Sequence, residues 1–542
     1  MNSSLSRLAV LAVIVYASLA GLRTLYDPDV WWQMATGRHL VTTGHIARTE
    51  IFSYTAQGAP WIYPVGAGVI FHMLYSLGGV RLLSMLSVVA CGLTAWILLR
   101  RGGVMRCVVI ALAVPAIAAA TMVRANMFTT VLAAVFLTTL TGPSPALWLL
   151  PLLMIAWVNL HPGFIYGLAI VLVFVFSRPR QLAPVAAATL AATLINPWGW
   201  RIYEAILAQN ASMPLHRAFI AEWSPAPLSW AVLQDSLHWR DPLSQVYWLF
   251  LLAAAGVIAG LLRRQIWGPF ILAASAAAAL SFYRFTGLFA VAAGAILPDL
   301  LSGAGFSLRF LPQVFNPFLL APLIILFAGW RSEQLISNQF YFSHGSNEVF
   351  GVGAAPWIPD RAARFIEEHG LPRELYHDYV LGGYLSWRLA PRYPVFIDGR
   401  ALPYGDGLFV EREKLSGKSP DGADWRAAIE RWKIHTMLIS TDRSNGYGAL
   451  ALRSLCDSKD FGLAYLDETA AVFVTPNPPT ELPYLSCETA KIPPPPADAS
   501  TAQRYLYWAN LATLYNELTR PAEAEQAITE CRRIFEIGRA HV

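Results

Sequence analysis

Apolar runs of about 18 residues or more recur through the first 330 positions of the chain, and they limit its folding more than any other feature does. A span of that length crosses the hydrocarbon core of a bilayer as one helix, and a single soluble core has no room for so many. Of 542 residues, 55% are hydrophobic and 14% charged, against about a quarter charged in an average soluble domain. A cytosolic enzyme is excluded. The net charge of +5 is small and comes without a block of consecutive basic residues, so no surface is laid out for a phosphate backbone and nucleic acid is not an expected partner.

The first apolar run covers residues 8–25, carries Arg7 at its edge and lacks a small-residue cleavage site; it reads as an uncleaved span. Ten further runs follow at 81–99, 105–123, 126–141, 146–160, 163–177, 181–195, 245–262, 267–282, 286–301 and 312–329. About eleven spans are therefore expected. With a cytoplasmic N-terminus, the cytoplasmic connections hold Arg100, Arg101 and Arg106, then Arg178 and Arg180, then Arg263 and Arg264, then Arg309, as the positive-inside rule requires. An odd number of spans puts everything after Trp330 outside, in the periplasm of a Gram-negative cell.

Two outer segments, 26–80 and 196–244, are too long to be simple turns. Residues 61–77 are apolar, interrupted by Pro64 and containing His72; they read as a helix on the outer membrane face, with a spanning helix as the alternative. The expected partition is a transmembrane domain at 1–330, a small exported α/β domain at 331–475, a proline-rich linker at 476–499 and a helical pair at 500–535. In the α/β domain, 376–389, 395–397, 437–440 and 471–475 read as strands, and 360–369 and 424–433 as helices. The helical pair has small residues where two helices would cross and resembles one tetratricopeptide repeat. Such arrays need about three repeats to bury their faces, so further repeats are expected beyond this sequence. Residues 536–542 (EIGRAHV) match a translated sequencing adapter and read as an assembly artefact. Cys456 and Cys487 can pair if their domain is exported; Cys91 and Cys107 lie in apolar runs, and no cysteine has metal-ligand spacing.

The first outer segment opens Tyr26-Asp27-Pro28-Asp29-Val30-Trp31-Trp32. Carboxylates at a lipid boundary suit general-base work on an acceptor hydroxyl, or a divalent cation shared by Asp27 and Asp29. They also suit a helix start, with Pro28 in the first turn. Arg124 and Arg284 lie at outer span ends against the positive-inside trend. A guanidinium fork there fits a donor phosphate, although snorkelling or pairing with Glu222 explains it equally. His161, after Asn159, suits either a phosphate contact or a helix-end hydrogen bond. Glu222-Trp223 sits among Trp198, Trp200 and Trp230, residues that stack on sugars or anchor in interfaces. In the exported part, Asp378, Asp398 and Arg400 are the notable polar residues. Gly382-Gly383 and Asp398-Gly399 read as turns.

Several motifs together resemble one family: Asp27 to Gly37 (DPDVWWQMATG), Gly44-His45-Ile46, Phe52-Ser53-Tyr54-Thr55, Pro60-Trp61, Arg124 with Asn126, Trp157-Val158-Asn159-Leu160-His161, Asn196-Pro197-Trp198-Gly199, Glu222-Trp223 and Arg284. Gly382-Gly383-Tyr384-Leu385 and Phe396-Ile397-Asp398-Gly399-Arg400 extend the match. The chain thus resembles bacterial polytopic glycosyltransferase-like proteins of the GT-C fold, distant relatives of protein O-mannosyltransferases and lipid A aminoarabinose transferases. That resemblance implies transfer of a sugar, with inversion, from a polyprenyl-phosphate donor to a glycan, lipid or protein acceptor on the outer face of the bacterial inner membrane. It implies Asp27 as base with Asp29 beside it; the residues themselves add Arg124, Arg284 and His161 as candidates for the donor phosphate, and Trp31, Trp32, Asn159, Glu222 and Trp223 as candidates for substrate. No second acid follows the Pro-Trp pair, where Ile62-Tyr63-Pro64-Val65 stands, and Glu50 is a weak substitute. Two other classes remain open: a noncatalytic envelope scaffold recruiting a protein through its repeats, and a transporter of lipid-linked sugar. The latter calls for charged or broken mid-bilayer helices and paired repeats.

Overall fold

The computed structural model describes residues 4–142, 146–212, 217, 220–226, 242–302, 317–343, 346–416, 422–442, 446–476, 482 and 484–540. Arg309, Trp230, the start of the last expected span and part of the proline-rich linker lie outside the described residues.

A helix occupies each of the eleven expected span positions. They are α1 (Ser4–Gly21), α3 (Gly66–Leu99), α4 (Val104–Ala120), α5 (Asn126–Leu140), α6 (Leu149–Leu160), α7 (Phe164–Val175), α8 (Pro179–Ala192), α10 (Pro242–Leu262), α11 (Trp267–Ser281), α12 (Thr286–Ser302) and α13 (Pro317–Ile336). Two more, α2 (Asp29–Thr43) and α9 (Arg201–Ala211), lie in the long outer segments. Five of the helices are long and apolar enough to cross a membrane, and five other apolar helices are shorter, among the described residues. Eighteen helical residues rise about 27 Å, close to the hydrocarbon thickness.

The segment after Pro64 becomes helical at Gly66 and runs on into the following span. A break at Gly78 and Gly79, where Gly79 takes φ 59°, separates its outer part from the span proper. At the opposite end of the bundle the basic connections are tied down. Arg101 Nη2 donates to Thr138 O at 2.6 Å, Arg106 Nη2 meets Asp299 Oδ1 at 2.6 Å, Arg178 Nη2 donates to Leu140 O at 2.6 Å, and Arg263 Nη2 donates to Leu300 O. These four cations share one face, and the acidic residues 27 and 29 lie on the other.

After α14 (Gln339–Ser343) the chain forms an α/β unit with a four-stranded sheet in the order β1-β2-β4-β3. Strands β1 (Leu375–His377) and β2 (Thr436–Ser440) are parallel; β2 pairs antiparallel with β4 (Ala470–Val474), which pairs antiparallel with β3 (Gly462–Leu466). Every residue of β2 and β4 is buried, as expected of runs without polar alternation. Helices α15 (Asp360–Glu368), α16 (Gly382–Arg388), α17 (Gly405–Leu415), α18 (Ala423–Trp432) and α19 (Gly446–Cys456) complete the unit.

Two strand expectations are corrected. Of residues 376–389 only the start is strand; Gly382-Gly383 begins α16 instead of forming a turn, because it must pass close to other backbone. A Cβ on Gly383 would lie 2.3 Å from Pro28 O and one on Gly382 would collide with Ile397 O, so Gly383 is small to admit the loop before α2 and Gly382 to pass the 397–398 backbone. Residues 395–397 do not join the sheet. Val395 pairs with that same loop, donating to Phe52 O at 2.8 Å and accepting from Tyr54 N at 3.2 Å.

Cys456 and Cys487 form a disulfide, linking α19 to the chain before the last helical pair, α20 (Thr501–Glu517) and α21 (Pro521–Ala540). A capping box built from Ser500 and Gln503 starts α20.

Candidate functional site

Asp27 lies in the short connection between α1 and α2, and its Oδ1 accepts the backbone N–H of Asp29 at 2.9 Å, so the carboxylate closes the turn that starts α2. This is the arrangement expected of a helix start. On α2, Trp32 lies one turn beyond Asp29, and its indole Nε1 donates to Asp29 Oδ1 at 2.9 Å. The side chain of Asp27 is 6% exposed and that of Asp29 is 26% exposed; Asp29 is the one that opens outward.

Arg124 stands in the connection between α4 and α5. Its Nη1 lies 3.2 Å from Asp27 Oδ2 and 3.9 Å from Asp29 Oδ2, and its Nη2 lies 3.0 Å from Glu222 Oε2. Glu222 belongs to a short 3-10 turn, Ala221–Trp223, and its other oxygen meets Arg284 Nη1 at 3.3 Å. The Arg284 guanidinium lies 3.9 Å from the Trp223 ring centre, in cation–π contact. The five charges form an alternating chain: the aspartate pair, Arg124, Glu222, Arg284.

Their electrostatics differ. Burial and the charge of Asp27 push Asp29 up to about 7, against the pull of Arg124 and the Trp32 N–H. Burial also raises Asp27, although Arg124 opposes it. Glu222 is driven the other way, to about 2: burial raises it, but the two guanidiniums outweigh burial. His161 falls to about 3 through burial and the nearby Arg284 and Arg124, so its ring is neutral at pH 7. Its Nδ1 accepts from the Gly163 backbone N–H at 3.0 Å and lies 2.9 Å from Thr129 Oγ1, the helix-end arrangement.

These groups line a cavity of about 970 Å³. Its ionisable lining includes Asp27, Asp29, Arg124, His161, Glu222 and Arg284. Apolar side chains line it as well, among them Ile165 and Ala169 of α7, Ile202 and Ile206 of α9 and Leu288 of α12, beside the polar Tyr166, Gln209 and Ser275. The α/β unit contributes Tyr379, Gly399, Leu402 and Asp442. Trp32 and Trp223 also reach the cavity.

Two expected substrate residues lie elsewhere. Trp31, 2% exposed, packs edge-on against Tyr384 with ring centres 5.0 Å apart. The Asn159 amide donates to Ile155 O and Ile195 O, both at 2.8 Å, and joins two helix ends. Glu50 takes no part in the cavity: its carboxylate pairs with Arg400 and accepts the Phe52 and Ser53 N–H groups. Asp378 is likewise engaged, its Oδ2 accepting from Ser440 N at 2.6 Å.

Sequence reasoning missed Tyr63 and Tyr379. Tyr63 stacks on Trp61 at 5.4 Å and sits 5.1 Å from the Trp32 ring, an aromatic wall legible only as the alternation Trp61-Ile62-Tyr63. Tyr379 arrives from the distant α/β unit and has no local signal. For a divalent cation the donor set does not fit. Asp27 and Asp29 supply two carboxylates with a guanidinium between them, and no three His, Cys, Asp or Glu side chains converge among the described residues.

No protein-family model and no curated protein matches this sequence. The fold does have counterparts. The chain superposes on the Archaeoglobus fulgidus oligosaccharyltransferase in its apo form with a TM-score of 0.50 at 12% identity, over 88% of this chain and 74% of that one. A second structure, the archaeal oligosaccharyltransferase AglB from Archaeoglobus fulgidus with an inhibitory peptide and a dolichol-phosphate, gives 0.49 at 12% identity, over 89% and 75%. The class this defines is a helical membrane protein with an oligosaccharyltransferase-like fold. At such identity the likeness is one of fold; chemistry must be argued from the site.

Proposed function

We propose that the protein is a membrane glycosyltransferase that moves a sugar from a polyprenyl-phosphate donor to an acceptor hydroxyl on the outer face of the bacterial inner membrane. The observation that carries this reading is one cavity lined both by apolar side chains and by a linked cluster of acids and guanidiniums. An amphiphile with a hydrocarbon tail and an anionic head matches that mixed lining.

In the proposed reaction Asp29 is the base. It is the aspartate open to the cavity, and a carboxyl titrating near neutrality is matched to proton transfer at physiological pH. It takes the acceptor O–H proton as the acceptor oxygen bonds to the anomeric carbon. The bond from that carbon to the phosphate oxygen breaks on the opposite face, so the configuration inverts and the lipid phosphate leaves with the electron pair. Asp27 positions Arg124 and the start of α2. Arg284 and Arg124 face the charge growing on the phosphate; Glu222 meets each through one nitrogen, and a guanidinium has further N–H groups to offer. Trp32, Trp223 and Tyr63 supply faces for a sugar ring.

In this reading the basic face of the bundle is cytoplasmic and the site and the α/β domain are periplasmic, which the positive-inside trend supports. The disulfide between Cys456 and Cys487 supports an oxidising compartment for that domain. The last two helices are read as a protein-docking element. The test is transfer of radiolabelled sugar by the purified full-length protein in lipid, from a panel of polyprenyl-phosphate and polyprenyl-diphosphate donors. Transfer from a monophosphate donor is the expected result; no transfer from any donor, with the protein folded, overturns the reading.

A further inference from the structure

The cavity belongs to the membrane bundle by most of its lining, yet the base it contains is braced from the α/β domain. Gly399 lies between Asp398 and Arg400, and all three are pinned. Arg400 Nε donates to Asp398 Oδ1 at 2.8 Å, its Nη2 donates to Asp398 Oδ2 at 2.6 Å and to Glu50 Oε1 at 3.0 Å, and its Nη1 pairs with Glu50 Oε2. Ser386 Oγ donates to Asp398 Oδ2 at 3.1 Å, and Arg400 Nη2 also reaches the Tyr404 hydroxyl at 3.1 Å. The side chains of Arg400, Glu50 and Asp398 are at most 1% exposed, so the turn has little freedom.

The face of Gly399 that this network presents meets the α2 start. A Cβ there would lie 2.2 Å from Asp29 Oδ1 and 3.4 Å from Trp32 Nε1. Those are the acceptor and donor of the bond that holds the Asp29 carboxylate. Gly383 does the same one residue earlier, against Pro28 O. The domain therefore fits the Asp27-Pro28-Asp29 loop with bare backbone where any side chain would displace it.

We propose that the Asp398-Gly399-Arg400 turn is a positioning element of the active site, which holds the Asp29 carboxylate in the orientation set by Trp32 and makes the base depend on the docked α/β domain. The inference rests on Asp29 acting as the base in the reading above. The turn touches no reacting atom; it acts through Asp29.

The test compares Gly399→Ala with wild type as full-length protein in lipid, beside Gly407→Ala, whose Cβ meets nothing within 4 Å, as a control in the same domain. The first readout needs no transfer activity. A hydrophobic carbodiimide modifies protonated carboxyls, and the labelling of Asp29, followed by peptide mass spectrometry, falls as pH rises through the titration of that group. Gly399→Ala is expected to displace this midpoint by about one pH unit, the scale on which a lost hydrogen bond or neighbouring charge acts, while Gly407→Ala leaves it in place. The second readout is turnover. Gly399→Ala is expected to lower kcat by about tenfold or more with donor KM changed far less, a misplaced group costing rate more than binding. Added to Asp29→Asn it is expected to cost nothing further, because both changes act on one carboxylate.

If Gly399→Ala does not fold, Arg400→Lys loosens the same turn without a new Cβ, and a smaller shift of the Asp29 midpoint is expected. An unmoved Asp29 midpoint in the folded variant, or a loss that multiplies with that of Asp29→Asn, overturns the proposal. Wild-type protein that labels as expected but transfers no sugar defeats the functional reading and leaves the brace standing.

Discussion

Two clusters of charge lie beside the segment that joins α1 to α3, and they are built from the same residue types in opposite ways. The Glu50–Arg400–Asp398 cluster joins the first outer loop to the α/β domain with its three side chains sealed from solvent, each acid answered by the one guanidinium. The chain from Asp27 and Asp29 through Arg124 and Glu222 to Arg284 joins four separate stretches of sequence, but Glu222 and Arg284 keep 30% and 20% of their side chains open to the cavity. The difference separates holding from doing. A closed network satisfies its own charges and fixes geometry; an open one leaves polar atoms facing a space of about 970 Å³, where in the proposed function the donor completes them.

The strongest way to break the contrast is Asp29→Asn, expected to lower transfer by about 10²–10⁴-fold, the usual contribution of a general base, while the thermal midpoint of the purified protein holds. If transfer survives in Asp29→Asn and is lost in Asp27→Asn, the roles of the two aspartates are reversed. Arg400→Ala is the mirror case. Removing the one cation from a buried network leaves two carboxylates unanswered, and a loss of about 3–5 kcal/mol is expected in denaturant or thermal unfolding. A thermal midpoint equal to wild type would remove this cluster from the holding class. Arg284→Ala should cost about 10²–10³-fold in kcat, as loss of one donor to a developing oxyanion does, with little change in stability.

The smallest and most graded effect is that of pH. With Asp29 raised to about 7, turnover should fall about tenfold per unit below neutrality and level off above it, since only the ionised carboxylate takes a proton. The linked stability term has the opposite slope. A carboxyl whose folded pKa lies above its ordinary value near 4 binds more protons when folded, so its contribution is complete below about pH 4 and is lost as pH rises through about 7. A rate profile flat through this window would show that Asp29 is not the titrating base.

Much of the bundle was legible because lipid imposes a simple rule: a long apolar run must become a helix, and a helix stands at every run read as a span. The α/β domain was harder to read. Glycine pairs carry no statement of which neighbour needs the room, and Gly382-Gly383 reads as a turn where it is a helix start, with Gly383 against Pro28 and Gly382 against Ile397 and Asp398. The strand at 395–397 failed for a related reason: its partner is the loop at 52–54, more than 300 residues away, and not the domain's own sheet. Within the site, Asp27, Asp29, Arg124, Glu222 and Arg284 each stood out locally as charges in unusual places. Trp31 and Trp32 were indistinguishable, since only the packing of α2 decides which indole faces Tyr384 and which faces the cavity.

By itself the sequence determined a membrane-embedded helical bundle, because the water-to-lipid preference of its runs is a sum over local composition. It also determined that two carboxylates emerge directly after the first span. Only the tertiary structure decided that Arg124 bridges those carboxylates to Glu222, that His161 is neutral, and that Gly399 presses on Asp29. These are matters of distance, burial and steric exclusion between residues far apart in the chain, and they come into being only when the outer loop, the bundle and the α/β domain close on one another.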